Sequence, residues 1–291
     1  MIVNKLNRKN KIRYSYERKS FQIFITVVVT LCTLFSFIAL FITVVNSLKT
    51  DDEVAFDIFA LPTVNNFVSA MSSNYAKAWL EVYVYFFRSL GTALVGATGA
   101  TLLGAFLAYI LVFKDFYFKD AVFMLFIAVM LVPSIIGFPI LLPLMRDTFN
   151  LGDTYAGYVI PTIGGCQVGG MFLFRTFFGQ QPKSIYESAR LDGANDFTLI
   201  FRFTLPLSLP ILLYYGISIF SNMYNDYLWP SLILDTKLTL MPKMLSLVDS
   251  NTLKYGAMYA MYCISSIPLI FTTTISLKTF SSGEFASGMK L

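Results

Sequence analysis

The chain has 291 residues, of which 56% are hydrophobic and 13% are charged, with a net charge of +5 and no histidine. Because globular domains carry about 25% charged residues, this composition argues against a soluble domain, and its hydrophobicity excludes an intrinsically disordered chain. Long apolar runs favour membrane-spanning helices over β-barrel strands, and the lack of imidazole excludes His-based catalysis and metal ligation, so we expect an all-α integral membrane protein.

Charge-free stretches predict six transmembrane helices, because a bilayer span needs about 20 mostly apolar residues. They run from Ser20 to Leu48, Ser89 to Phe113, Ala121 to Met145, Thr154 to Phe174, Phe203 to Asn225 and Tyr255 to Leu277. The first stretch is much longer than the roughly 7–15 apolar residues of a signal peptide, so we expect a retained anchor. A seventh stretch, Ile58 to Ala76, is rich in Asn, Ser and Thr, and we predict an exposed loop that could carry a short surface helix.

Lysine and arginine in the connections predict the orientation, because cytoplasmic loops are enriched in these residues. With the N-terminus in the cytoplasm, 15 of the 22 basic residues lie inside and 7 outside, whereas 7 acidic residues lie inside and 10 outside. An even number of spans then places both termini in the cytoplasm. The basic N-terminal tail is predicted to be a topology signal that rests on anionic membrane lipid, and no nucleic-acid binding is expected.

This topology divides the chain into two cytoplasmic tails and three membrane or loop parts. The N-terminal tail (1–19) precedes the first span (20–48) and an external loop (49–88). A five-helix core (89–280) follows, with a cytoplasmic loop at about 182–206, and a cytoplasmic tail (281–291) comes last. Loops this long in a helical bundle usually carry function.

Proline and glycine predict distortions in the third and fourth spans. The third span is expected to bend at its prolines, Pro133, Pro139 and Pro143. In the fourth span Gln167 lies among four glycines, Gly164, Gly165, Gly169 and Gly170. These glycines fit either close helix packing or a helix broken beside a cavity.

The cytoplasmic loop predicts two short helices joined by a bend. Ser184 followed three residues later by Glu187 indicates a capping box, and Gly193 suits a helix C-cap or sharp turn. Ile185, Ala189 and Tyr186 are predicted to form one face of the first helix. Such an exposed elbow can fit a groove on a partner or fold onto its own bundle.

The second helix of the loop is predicted to begin at Asn195 or Asp196. Its apolar stripe would be formed by Phe197, Ile200 and Phe201. Pro206 and Pro210 are then placed in the first turns of the fifth span, where proline is tolerated.

Polar residues in the spans are candidates for a transport path, because they usually face a bundle interior or a cavity. The candidates are Gln167, Asn222, Asn225 and Asp226. The last three are spaced to share one helical face, although Asn225 and Asp226 also fit capping of the fifth span. The cysteines, Cys32, Cys166 and Cys263, lie in separate apolar runs and are expected to be free thiols buried inside helices.

Three groups in the cytoplasmic loop resemble the EAA coupling motif of ABC-importer permeases. They are Glu187-Ser188-Ala189, Asp192-Gly193-Ala194 and Phe203-Thr204-Leu205-Pro206. Ser188 replaces one Ala of the motif, and Phe203 stands where Ile or Val is usual. From about Arg88 onward the chain is similar to the carbohydrate permeases related to the second maltose-transporter subunit, as in Tyr224-Asn-Asp-Tyr-Leu-Trp-Pro230 and the tail from Gly283 to Lys290.

The resemblance implies a type I ABC-importer permease fold with six transmembrane helices in the bacterial inner membrane. The implied partners are a second permease subunit, an ATP-binding cassette ATPase dimer and an extracellular or periplasmic solute-binding protein. The ATPase-coupling residues would be Glu187, Ser188, Ala189, Asp192, Gly193 and Ala194. The tail residues Gly283, Gly288 and Lys290 would lie near the ATPase, unless the tail is frayed.

The expected function is ATP-driven import of a sugar, an oligosaccharide in particular. The sequence has no Gly-x-x-x-x-Gly-Lys-Ser/Thr loop, so ATP and Mg are expected on the partner, with no cofactor and no enzymatic activity in this chain. One alternative is import of sn-glycerol 3-phosphate by the same architecture. A remoter alternative, a stand-alone secondary transporter, would need carboxylates within the spans, and the six spans lack them between their ends.

Overall fold

The computed structural model describes residues 2–250 and 252–281, and within them the chain is helical, with no β-strand. The α-helices of these residues are α1 (Ile2–Ser47), α2 (Asp51–Phe56), α3 (Phe67–Phe113), α4 (Lys119–Met130), α5 (Ser134–Pro143), α6 (Tyr155–Phe178), α7 (Lys183–Leu191), α8 (Asp196–Thr198), α9 (Leu205–Leu207), α10 (Leu209–Tyr224), α11 (Leu228–Ile233), α12 (Leu240–Asp249) and α13 (Tyr255–Ser281). Two π-helical segments, Leu144–Thr148 and Leu199–Thr204, adjoin α5 and α9.

Among the described residues, four helical stretches are each long and apolar enough to cross a membrane. They are Phe21–Ser47, Phe67–Phe113, Tyr155–Phe178 and Tyr255–Lys278. Two further pairs meet the same criterion together but bend sharply, by 92° between Lys119–Met130 and Ser134–Thr148 and by 79° between Asp196–Leu207 and Leu209–Tyr224. With each bent pair as one span, these residues hold the six spans that the sequence predicts.

The bend in the third span lies where the sequence predicts it. Helix α4 ends at Met130, and Pro133 is the N-cap of α5. Proline lacks the N–H that a continuous helix would need and restricts the preceding residue to extended conformations, so the helix restarts in a new direction. Pro139 lies inside α5 without ending it.

The stretch predicted as an exposed loop is mostly helical. Helix α3 begins at Phe67, 22 residues before the predicted start at Ser89. Its early part has a buried residue at every fourth position: Ala70, Asn74, Ala78 and Val82. Charges at Lys77 and Glu81 end the uncharged run without ending the helix, because both residues favour helix.

Contacts divide the chain into two compact units, Met1–Ala78 with Leu253–Cys263 and Trp79–Thr252 with Ile264–Leu291. In the first unit, the buried Asn74 side chain donates to the backbone oxygens of Ser47 (3.0 Å) and Lys49 (2.8 Å). The Lys49 side chain is fully buried, and its ammonium donates to Asp57 O at 2.9 Å. These bonds fix the end of α1 and the connection that follows it.

In the second unit, glycines allow α3, α6 and α10 to approach one another closely. A Cβ atom on Gly104 would lie 2.9 Å from Gln167 O and 3.0 Å from Met171 N, so α3 contacts the backbone of α6 at this point. Gly170 faces the ring of Tyr215 on α10. Helix α6 runs unbroken through its glycines, so the predicted broken helix is absent; Gly169 and Gly170 pack closely against Tyr215, whereas Gly164 and Gly165 have open space around them.

A carboxylate at the start of α6 joins two connections of the second unit. Asp153 accepts backbone N–H bonds from Asp235 and Thr236 (2.9 Å each) and Lys237 (3.1 Å). It also accepts from the Thr236 hydroxyl at 2.6 Å. These donors hold the pKa of Asp153 far below its ordinary value, the Thr236 hydroxyl bond being the largest cause.

Candidate functional site

The predicted cytoplasmic loop forms a compact elbow, which we define as residues 181–208. Helix α7 is followed by a turn, then by α8, the π-helical segment and α9. Tyr186 and Ala189 of α7 are buried in the hydrophobic core, and Ile185 packs against it, as the sequence predicts. One face of the elbow therefore packs against the helix bundle, and the opposite face is exposed.

The turn after α7 is a Schellman motif built around Gly193. The backbone N–H of Gly193 donates to Arg190 O (3.0 Å), and that of Ala194 donates to Ala189 O (2.9 Å). Gly193 has φ +84°, the left-handed conformation that residues with a Cβ adopt only at a cost. Asp192 is the C-cap of α7. Three of the predicted coupling residues thus form the turn itself.

Asn195 starts the second helix of the elbow. Its side-chain oxygen accepts the backbone N–H of Thr198 at 2.9 Å, so Asn195 is the N-cap of α8, one of the two predicted starting points. With a C-cap and an N-cap only three residues apart, the direction of the elbow is fixed locally.

The outward face of the elbow combines carboxylates with large apolar side chains. Glu187, Ser188 and Asp192 are exposed. Leu191 is 90% exposed and Phe197 69% exposed. These apolar side chains are therefore available for contact with another chain.

Two details of the predicted elbow are wrong. Helix α7 begins at Lys183 with Pro182 as N-cap, and no side chain caps it, so Ser184 and Glu187 form no capping box. The predicted apolar stripe is also wrong: Ile200 is buried together with Leu199, whereas Phe197 and Phe201 are exposed. The π-helical turn at Leu199–Thr204 is wider than an α-turn and changes which residues face the core.

A buried polar network lies under the elbow. The Gln181 amide donates to the Ser208 hydroxyl at 2.7 Å, and the Tyr186 hydroxyl donates to the Gln181 side-chain oxygen. The same Tyr186 hydroxyl lies 3.1 Å from the hydroxyl of Thr204, which donates to Leu199 O at 3.0 Å. Burial raises the pKa of Tyr186, so its hydroxyl remains a donor.

The elbow is also bound to the end of α3. Lys114 forms an ion pair with Asp196 at 2.7 Å, and the Tyr109 hydroxyl donates to the other oxygen of the same carboxylate at 3.1 Å. The rings of Phe113 and Tyr186 lie 4.3 Å apart. Since the ion pair is partly exposed, the buried rings and hydroxyl contribute more to this contact than the charges do.

The path candidates lie outside the elbow, on α6 and at the end of α10. Gln167 is half-buried, and its side-chain oxygen has no hydrogen-bond partner. Asn222 is exposed. Because α10 ends at Tyr224, Asp226 does not share its helical face, contrary to the predicted spacing.

Asn225 and Asp226 both make capping contacts. Asn225 is the C-cap of α10, and its side chain donates to Ser221 O at 3.0 Å. The Asp226 carboxylate accepts the backbone N–H groups of Leu228 and Trp229 at the start of α11.

Predictions for the C-terminal tail, the cysteines and metal binding can be compared with the structure only over the described residues. The tail residues Gly283, Gly288 and Lys290 lie outside the described residues. As predicted, Cys32, Cys166 and Cys263 form no disulfide bond, but the predicted burial is wrong for Cys32, which is exposed, and Cys166 and Cys263 are half-buried. Over residues 2–250 and 252–281, no cluster of three His, Cys, Asp or Glu side chains could hold a metal ion.

The residues that sequence reasoning missed are those that hold the elbow from beneath: Gln181, Thr204, Ser208, Tyr109 and Lys114. Gln181 and Ser208 are the first and last residues of the elbow and are far apart in sequence, and Tyr109 meets Asp196 from a different span. The one available signal was that polar residues at the ends of apolar runs need partners when buried.

A family match covers most of the region just described. Residues 100–283 match a protein family described as "Binding-protein-dependent transport system inner membrane component". The chain is 27% identical over 289 residues to the "Arabinooligosaccharides transport system permease protein AraQ" of Bacillus subtilis, covering 96% of this chain and 99% of that protein.

Other relatives differ in the solutes that their names give. The "Diacetylchitobiose uptake system permease protein NgcG" of Streptomyces coelicolor is 27% identical, with 77% of this chain and 74% of that protein covered. The "sn-glycerol-3-phosphate transport system permease protein UgpE" of Agrobacterium fabrum is 28% identical, with 68% and 70% covered.

A solved structure has a similar fold. It is described as the "Crystal structure of a bacterial ABC transporter involved in the import of the acidic polysaccharide alginate". The TM-score is 0.70 at 21% identity, with 89% of this chain and 97% of that chain covered.

Proposed function

Since the chain belongs to the family of binding-protein-dependent transport system inner membrane components, we propose that this permease imports a sugar, an oligosaccharide in particular, using ATP hydrolysed by a partner. Relatives named for arabinooligosaccharides and diacetylchitobiose support this cargo. A relative named for sn-glycerol 3-phosphate supports a second candidate. Competition between labelled and unlabelled solutes distinguishes the two. In a glycerol phosphate permease, uptake of labelled glycerol phosphate would be inhibited by unlabelled glycerol phosphate and not by oligosaccharides.

The elbow is the proposed site of ATPase docking. The observation that carries this proposal is the exposure of Leu191 and Phe197 on a turn that the Gly193 motif and the Asn195 cap make rigid. An ATPase groove that covers these side chains would remove apolar surface from water and meet the carboxylates of Glu187 and Asp192 at its rim.

The proposed mechanism is a rigid-body shift. When ATP closes the ATPase dimer, the docked elbows move together and carry the spans between inward and outward access. A rigid elbow suits this role, because a flexible one would absorb the displacement instead of passing it to the bundle.

The proposed complex contains a second permease, an ATPase dimer and a solute-binding protein. Support comes from the family description, which names a binding-protein-dependent transport system, and from relatives named as permease proteins of transport or uptake systems. The proposed orientation places the elbow and both termini in the cytoplasm, next to the ATPase.

Substitution at the outward face of the elbow tests the proposal. Leu191→Asp and Glu187→Lys should leave the chain abundant in the membrane while reducing co-purified ATPase and uptake together, about tenfold or more if docking loses roughly 1.4 kcal/mol. Leu61→Asp is the matched control, because Leu61 is also exposed (71%) but lies in the connection before α3. Normal assembly and transport by both elbow variants would rule out docking at this face.

The same purification tests the composition of the complex. A tag on this chain should recover a different permease and an ATPase. Recovery of two copies of this chain with the ATPase would contradict the proposed pairing of unlike permeases.

A further inference from the structure

The fifth span bends at Ser208, the last residue of the elbow. Ser208 lies between α9 and α10, where Asp196–Leu207 and Leu209–Tyr224 meet at 79°. The Ser208 backbone N–H donates to Thr204 O and Leu205 O, at 3.1 Å each, and the Ser208 backbone oxygen accepts from Leu212 N at 3.1 Å. The Ser208 side chain is fully buried, and its hydroxyl accepts the Gln181 amide.

Gln181 connects this break to the start of α7. It immediately precedes Pro182, the N-cap of α7, and is 9% exposed. Both ends of its amide are bonded, the nitrogen to Ser208 and the oxygen to the hydroxyl of Tyr186 within α7. A single side chain thus bridges the first helix of the elbow and the bend of the fifth span, 27 residues further along the chain.

Breaking the hydrogen bonds of Gln181 is unfavourable because its partners are buried. Tyr186, Thr204 and Ser208 are each at most 4% exposed, so water cannot replace a lost partner. A buried amide or hydroxyl that loses its partner destabilises the fold by more than the same bond contributes when it is exposed. This cost favours movement of Ser208 together with α7 over separation of the pair.

We propose that Gln181 is a positioning residue that passes movement of the elbow to the bend of the fifth span through the Ser208 hydroxyl. The inference rests on the proposed function, because it assumes that the ATPase displaces the elbow. Docking uses the outward face, whereas this bridge lies on the buried face, so loss of the bridge should separate ATP hydrolysis from transport without releasing the ATPase.

The test measures ATP hydrolysed per solute molecule imported by the complete complex, with its binding protein, in lipid vesicles. Gln181→Leu and Ser208→Ala should each retain the ATPase and raise this ratio at least threefold. The double variant should be no worse than the more affected single variant, because both changes remove the same bond. Thr33→Val is the control: its hydroxyl donates to Val29 O within α1, far along the chain from the elbow, and the ratio should stay that of the unaltered chain.

Each remaining outcome overturns a stated part. A normal ratio in both single variants, or effects that multiply in the double variant, would show that Gln181 and Ser208 do not act through their shared bond. Loss of the ATPase from either single variant would assign the network to docking and overturn transmission. Solute uptake by the unaltered complex without ATP hydrolysis would overturn the proposed function and this inference with it.

Discussion

Gly193 shows how much a single backbone conformation contributes to the elbow. A Cβ atom added there would meet nothing within 4 Å, so the space around it tolerates a larger residue. Its φ of +84° nevertheless disfavours a larger residue, because residues with a Cβ lose about 1–2 kcal/mol in the left-handed region. The requirement for glycine at this position is therefore conformational and not steric.

This distinction gives a test with a matched control. Gly193→Val should distort the turn after α7 and lower both co-purified ATPase and uptake, whereas Gly193→Asn should retain most of each, since Asn adopts positive φ more readily. The amounts of ATPase and of imported solute are measured for both variants at equal abundance in the membrane. Equal behaviour of Val and Asn would show that the turn conformation is unimportant for docking.

Residue-level features that depend on neighbours in sequence could be predicted, and those that depend on distant residues could not. The Gly193 turn and the Asn195 cap follow from local chemistry and are present. The capping box at Ser184 fails because Pro182 starts the helix earlier. The bond from Gln181 to Ser208 needs the fold to bring its partners together.

At the scale of helices, uncharged length predicted the spans well and the helix ends poorly. An uncharged run marks where the chain can lie within the bilayer. The second span was therefore predicted to begin at Ser89, after the last charged residue, although α3 starts at Phe67. The break at Pro133 follows from proline chemistry. The π-helical turns at Leu144 and Leu199 have no comparable signal, and the second of them separates Phe201, which is exposed, from Ile200, which is buried, in the predicted apolar stripe.

The Asp153 contacts give a prediction at this scale, because they join the connection before α6 to the connection between α11 and α12. Asp153→Asn should lower the thermal midpoint at pH 7, since the three backbone N–H groups lose an ionised acceptor, although solvent screening keeps the decrease small. The folded pKa is depressed, so the carboxylate stabilises the fold above its unfolded pKa of about 3.9, and this stabilisation is lost as the pH falls through the folded value.

The pH dependence supplies the control for that variant. The difference in midpoint between the unaltered chain and Asp153→Asn should be full at neutral pH and shrink below about pH 4. Thermal unfolding in detergent across this range measures it. A difference independent of pH would mean that the Asp153 charge contributes nothing and that the amide disturbs packing.

At the scale of the whole molecule, the sequence predicted the architecture because membrane folds are governed by length and charge more than by side-chain detail. The predicted six spans agree with the four continuous and two bent spans among the described residues, and the fold agrees with that of the alginate importer structure. Direction across the membrane is a separate property, which only the distribution of basic residues predicts. It determines whether the elbow can meet an ATPase at all.

Single cysteines test that direction. In a chain with Cys32, Cys166 and Cys263 replaced by Ala, Asn66→Cys should react with a membrane-impermeant maleimide in intact cells, because residue 66 lies in the predicted external connection. Asn10→Cys should be protected until the membrane is permeabilised, since the 15-to-7 division of basic residues places the N-terminus inside. Leu191→Cys should behave like Asn10→Cys, because the proposed docking face must lie on the side of ATP. Labelling of Asn10→Cys and Leu191→Cys in intact cells, with Asn66→Cys protected, would invert the topology and remove the elbow from any cytoplasmic ATPase.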